Sequence, residues 1–155
     1  MRETYSSLPT EPRLPCKARI STREPSTPLH SAIDIDGAYV SAISSSLGGD
    51  EVTYTLTGES QNGNFLQDGE YKCTVVLNGV SLTSQRGAAI DIQNGKRIDI
   101  EVVDGTTNTF VDCAGGEQKA CFFVNGHPEF KGSGTVNITG NTKHAYASDE
   151  YTRLK

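Results

Sequence analysis

The sequence predicts an all-β chain whose strands wind as a short solenoid, and three observations predict it. Glycine is abundant at 16 of 155 residues, Trp is absent, and the second half is rich in Val, Ile, Thr, Asn and Asp, a mix that favours strands and turns. Short runs alternate apolar with polar residues at the strand period of two. Similar runs also recur at a spacing in the twenties to low thirties, the range of stacked repeat units.

Residues 1–31 come first and differ from the rest. Five of the six prolines lie there, at positions 9, 12, 15, 25 and 28, among Ser, Thr, Arg and Glu. Such a segment buries too little apolar surface to offset its ordering entropy, so it is expected to be a disordered leader or linker. The folded unit is expected over residues 32–155. It opens with "AIDIDGAYVSAI" and "DEVTYTLTGES", two short strands around the loop "SSSLGGD".

Strand after strand follows from Tyr71, broken by Asn-Gly, Arg-Gly and Asp-Gly. Asn94-Gly95, between "AIDIQ" and "KRIDIEV", suits a two-residue hairpin turn as well as a solenoid corner. Repetition favours the corner. Laying "GAAIDIQNG" from Gly87 over "KACFFVNG" from Lys119 and "KHAYAS" from Lys143 aligns Ile90, Phe122 and Tyr146, at shifts of 32 and 24. "VVLNG" lies over "EVVDG" at a shift of 26. In a coil of this kind Ile90, Ile92, Ile98, Ile100 and Val102 point inward and Asp91, Asp99 and Glu101 outward. Residues 113–118, "CAGGEQ", form the insertion of the long repeat, and Asn78, Asn94, Asn125 and Asn141 are expected at corners in left-handed backbone.

Charge and composition narrow the function. A net charge of −5 leaves no basic stripe to replace counterions on phosphates, which argues against nucleic acid and anionic membranes as partners. No apolar run approaches the roughly 18 residues of a membrane span. The N-terminus lacks the apolar core of a secretory signal, which leaves the compartment undecided or the leader outside this sequence. Cys16, Cys73, Cys113 and Cys121 fall in no CxxC pattern, so buried thiols are favoured over a disulfide framework, and zinc is disfavoured.

The stretches Val76-Leu77-Asn78-Gly79, "DGTTNT" at 104–109, "GSGTVNITGN" at 132–141 and "KHAYAS" at 143–148, in that order and spacing, resemble the bacterial carbohydrate-binding domain family of right-handed parallel β-helices. That family comprises secreted or cell-surface proteins of Bacteroides-like and clostridial bacteria, related in fold to pectate lyases. The resemblance covers about residues 32–155 and implies a right-handed parallel β-helix, an extracellular or cell-surface location and a polysaccharide partner. In the family further coils follow "KHA", so this chain resembles the first coils of a longer helix. An uncovered terminal coil would invite self-association.

Candidate sites follow from the coil alignment. Arg86, Lys119 and Lys143 form a basic column at the strand starts, which suits uronic acids, with Tyr71, His127, His144 and Tyr146 near it. For a metal, calcium takes six to eight oxygens, and Asp91, Asp99, Glu101 and Asp104 supply carboxylates within two adjacent coils. Calcium also occurs in related β-helices. The alternative reading of these acids is a solvated outer face. No nucleophile, HExxH or phosphate-loop motif is present. Catalysis enters only through the lyase resemblance, with Arg86, Lys96, Arg97, Lys119 or Lys143 as base. A noncatalytic carbohydrate-binding module therefore leads, with a polysaccharide lyase and a purely structural surface rod as alternatives.

Overall fold

A computed structural model describes residues 52–155 throughout and, before them, the backbone of four strand segments. The chain is all-β and winds as a solenoid. Each coil passes through two sheets. One sheet runs β5 (Val52–Ser60), β7 (Cys73–Thr83), β9 (Arg97–Val102), β12 (His127–Lys131) and β15 (Arg153–Leu154), with β10 (Thr107–Val111) beside β7 and β13 (Thr135–Thr139) beside β10. The other stacks β6 (Asn64–Asp68), β8 (Ile90–Gln93), β11 (Ala120–Val124) and β14 (His144–Ser148). All of these pairings are parallel.

Asn94-Gly95 is thus a corner and not a hairpin, since β8 and β9 lie in different sheets. The register matches the predicted alignment, with Phe122 opposite both Ile90 and Tyr146. The shift of 26 between "VVLNG" and "EVVDG" holds for the glycines Gly79 and Gly105, whose φ values are +73° and +76°. The strands before them pair one residue closer, Leu77 opposite Val102. The difference is absorbed at the corner: β7 passes straight through Asn78-Gly79, whereas a loop over 103–106 separates β9 from β10.

Inward rows build the core. Ile90, Ile92, Ile98 and Ile100 have no exposed surface, and Val102 is buried with them. Aromatic rings then continue the stack: Phe122 lies 5.4 Å from Phe110, 5.9 Å from Phe130 and 5.9 Å from Tyr146, between ring centroids. Burial of such a ring against neighbours on two coils is what one coil alone cannot supply, so stacking and folding are one event.

Two expectations change. Among the described residues no non-glycine residue has positive φ, so Asn78, Asn94, Asn125 and Asn141 are not left-handed. Asn94 instead spends its amide across the coils, donating to the Tyr71 carbonyl at 2.6 Å while its Oδ1 accepts from Lys96 N at 2.9 Å. The stretch read as one strand over residues 32–43 is two, β3 (Ala32–Asp36) and β4 (Tyr39–Ile43), paired antiparallel. The disordered leader expected over residues 1–31 falls largely outside the described residues. Two strands within it, β1 (Arg2–Ser6) and β2 (Arg19–Arg23), pair antiparallel, and β2 pairs β5. Cys73, Cys113 and Cys121 are free thiols, and Cys16 lies outside the described residues.

Candidate functional site

Outward side chains on a parallel solenoid fall in columns, because residues in register recur every ~4.8 Å along the axis. One column stands where coils enter the first sheet. Arg97 pairs His127, Lys72 precedes the pair Cys73 and Ile98, and Tyr151 lies two residues before the pair Glu129 and Arg153. Lys72, Arg97, His127 and Tyr151 therefore occupy four successive rungs. The His127 and Tyr151 ring centroids are 4.9 Å apart, about one rung.

This column lines a groove of about 380 Å³ together with Lys96 and Asp99. Tyr151 is 63% exposed, an unusual position for a tyrosine ring. Two polar atoms here are enclosed yet have no hydrogen-bond partner, Asp99 Oδ1 and His127 Nδ1. An enclosed polar atom without a partner carries a desolvation cost that a ligand hydroxyl would relieve.

The groove's acid is held by its surroundings. Asp99 Oδ2 accepts from Lys131 Nζ at 2.9 Å, and this bond pushes the Lys131 ammonium above its usual range. Glu129, in register with Asp99, is 5% exposed, and Lys155 at 3.0 Å and Lys131 at 3.5 Å hold its carboxyl below the usual range. Lys72, Lys96 and Arg97 form no ion pair among the described residues, so the groove is locally cationic on a chain of net charge −5.

A second groove, of about 610 Å³, lies at the corner where coils enter the other sheet, lined in part by Arg86, Asp91, Glu117 and Gln118. Asp91 Oδ1 accepts from Gln93 Nε2 at 2.5 Å and Gln118 Nε2 at 3.1 Å. Burial nevertheless raises the Asp91 carboxyl above its ordinary value, with the Asp68 charge adding to it.

The expected basic column divides. Lys119 and Lys143 precede the paired residues Ala120 and His144 and so share a rung step, but Lys119 Nζ is bound to Asp149 and sits 5.4 Å from the Phe123 ring centroid. Arg86 lines the corner groove, which neither lysine does. His144 is exposed at the start of β14. Tyr71 is 4% exposed with its hydroxyl against that of Tyr54, so its ring is part of the core.

The four carboxylates do not converge either. Asp91 is on the second sheet, Asp99 and Glu101 are on β9, and Asp104 is in the loop after it. Asp104 Oδ1 accepts from Ser133 N at 3.0 Å and Ser133 Oγ at 2.7 Å, which lowers its carboxyl. Among the described residues no three His, Cys, Asp or Glu side chains are grouped as a metal would require. These residues do not fit one calcium site.

Lys72 and Tyr151 escaped sequence reasoning, and Arg97 was singled out there only as a candidate base. The shifts of 26 and 32 read from the sequence carry position 72 to 98 and 97 to 129, whereas the strands pair at shifts of 25 and 30, so the column emerges from the strand register and not from the sequence alignment.

A family profile described as carbohydrate-binding domain-containing protein matches residues 36–155. A carbohydrate-binding domain-containing protein of Acetivibrio thermocellus is 29% identical over 98 residues, covering 57% of this chain and 34% of that protein, so the chain spans about a third of that relative's length. No solved structure matches. The expected kinship with pectate lyases finds no support in these matches. With most of its length covered by the profile, the chain belongs to the family of carbohydrate-binding domain-containing proteins.

Proposed function

We propose that this chain is a noncatalytic carbohydrate-binding module of an extracellular or cell-surface protein, and that a polysaccharide lies along the column Lys72, Arg97, His127 and Tyr151. One observation carries the reading: an exposed tyrosine ring in a groove whose wall holds two enclosed polar atoms without partners. A ring offers its face to the apolar side of a pyranose, while Asp99 and His127 read hydroxyls. Rungs about 4.8 Å apart suit a polymer of sugars, one unit meeting each coil. Cations on adjacent rungs, Lys72 and Arg97, favour a chain bearing carboxylates, so uronic-acid polymers are the preferred class.

Isothermal titration with oligogalacturonate, xylan and cellulose fragments tests this. Tyr151→Ala should weaken the preferred ligand about tenfold, equivalent to about 1.4 kcal/mol. Unchanged affinity in that variant would place the site elsewhere. The same mixtures followed for unsaturated uronides should show no change in absorbance, as a noncatalytic module requires.

A further inference from the structure

The corner groove is distinct from that column, and its construction is unusual within the solenoid. Along the second sheet, successive inward partners Phe65, Ile90, Phe122 and Tyr146 are separated by 25, 32 and 24 residues. Four residues of the surplus in the middle step lie between β10 and β11, since Val111 to Phe122 spans 11 positions where their partners Thr83 to Ile90 span 7; the rest lies in the loop between β9 and β10. Insertions in a repeat cost the core nothing and collect at one face, often the binding face.

This insertion is tied down on both sides. Cys113 Sγ accepts from Gly87 N at 2.9 Å, Gly116 N donates to Thr142 Oγ1 at 3.2 Å, and Thr142 Oγ1 donates to the Cys113 carbonyl at 2.7 Å. Gly116 passes so near the coil before it that a Cβ there would lie 2.9 Å from the Gly87 Cα. The result is a fixed wall over a floor formed by Asn64 and Asp91, with Gln118 reaching from wall to floor at 3.1 Å.

We infer that this groove is a second carbohydrate site, which takes a neutral sugar through its hydroxyls. Adjacent pyranose hydroxyls each donate and accept. A carboxylate accepts from such a pair, a guanidinium donates to it, and a primary amide does both. Arg86, Asp91, Glu117 and Gln118 supply all three chemistries around one space. No aromatic ring among the described residues lines it, so recognition here is by hydrogen bonding and not by stacking. Its charges, two carboxylates to one guanidinium, disfavour uronates, whereas the column on the other sheet favours them. The chain would then hold an acidic glycan on one side and a neutral one at the corner. The inference rests on the carbohydrate-binding reading but not on the column being its site.

Backbone amide shifts, measured by 15N–1H correlation spectra of the full chain, test it. The probes are neutral hexasaccharides (xylohexaose, cellohexaose and mannohexaose) and hexagalacturonate. At least one neutral hexasaccharide should move amides at 85–88 and 113–118, equally in the parent chain and in Tyr151→Ala. Gln118→Ala should weaken that binding about tenfold, and Asp91→Asn, a nearly isosteric change that leaves the fold in place, should do likewise. If hexagalacturonate moves amides around Tyr151 but no neutral sugar moves the loop, this inference falls and the column stands. If the loop moves while the Tyr151 region never does, the column falls. If no probe moves either region, both fall.

Discussion

Asn108 is an inward-pointing polar residue near the start of β10, with no exposed surface, and replacing it should cost more than any surface change. Its Oδ1 accepts from Gly79 N at 2.9 Å and Val80 N at 3.0 Å, on the preceding coil. Its Nδ2 donates to the Thr135 carbonyl on the next coil and to Thr106 Oγ1, both at 3.1 Å. One amide thus fastens three coils. Asn108→Ala leaves the buried Val80 N–H without an acceptor and the half-buried Gly79 N–H nearly so, at about 1–3 kcal/mol for the first and less for the second. The expected loss is about 2–4 kcal/mol, roughly 5–15 °C in Tm for a chain of this size. Guanidinium unfolding followed by circular dichroism measures it, with the exposed Asn137→Ala as a control expected to change stability by about 0.5 kcal/mol or less. Asn108→Asp separates the two halves of the amide. It keeps an acceptor for the N–H groups but sets a buried carboxylate against the Thr135 carbonyl, so its folded pKa rises. Stability of that variant should therefore recover as pH falls through the raised folded pKa toward the unfolded value near 4. A loss in Asn108→Ala no larger than in the control would refute the reasoning.

Other outcomes follow from the same stacking. A Cβ on Gly126 would lie 2.1 Å from the Lys96 carbonyl oxygen, so Gly126→Ala should cost about 3 kcal/mol or more, whereas Gly79→Ala, strained only in φ at +73° with open space around it, should cost about 1–2 kcal/mol; equal midpoints in denaturant would contradict the close contact. Burial pushes the Cys121 thiol up to about 12, so thiol labelling with mass-spectrometric readout should modify Cys113 in the native protein and reach Cys121 only on unfolding. Lys155 and Lys131 hold the Glu129 carboxyl low, so its contribution to stability is present above the unfolded value near 4.5 and is lost as pH falls through the depressed folded value. Glu129→Gln should flatten the acid side of the Tm profile between about pH 5 and 2, and an unaltered profile would mean that the cations do not act on it.

The core was legible because its chemistry is periodic. Ile90, Phe122 and Tyr146 align by their small neighbours, and only a coil that returns to the same axis gives such an alignment. Tyr71 was legible too, had alternation been carried backward from Cys73, Val75 and Leu77, which sets it inward with them. The outer face gives no such repeat. Asp91 and Asp99 are both outward and only eight residues apart, yet a corner at Asn94-Gly95 sends them to different sheets. Alternation tells inside from outside but not which outside. The column of Lys72, Arg97, His127 and Tyr151 shares no residue type to mark it. It becomes visible only when register is taken from the core and carried outward through coils of unequal length.

For an acidic chain proposed to bind acidic glycans, charge spacing matters more than net charge. Duplex DNA presents one charge per ~1.7 Å, so binding it draws on a broad basic surface. A polyuronide presents one carboxylate per sugar, close to the ~4.8 Å step between coils. In the proposed binding mode, Lys72 and Arg97 on adjacent rungs face two successive carboxylates. A local pair of cations thus suits a sparsely charged polymer better than a dense one. In that reading the discrimination comes from the match between the two repeats and not from the sign of the net charge.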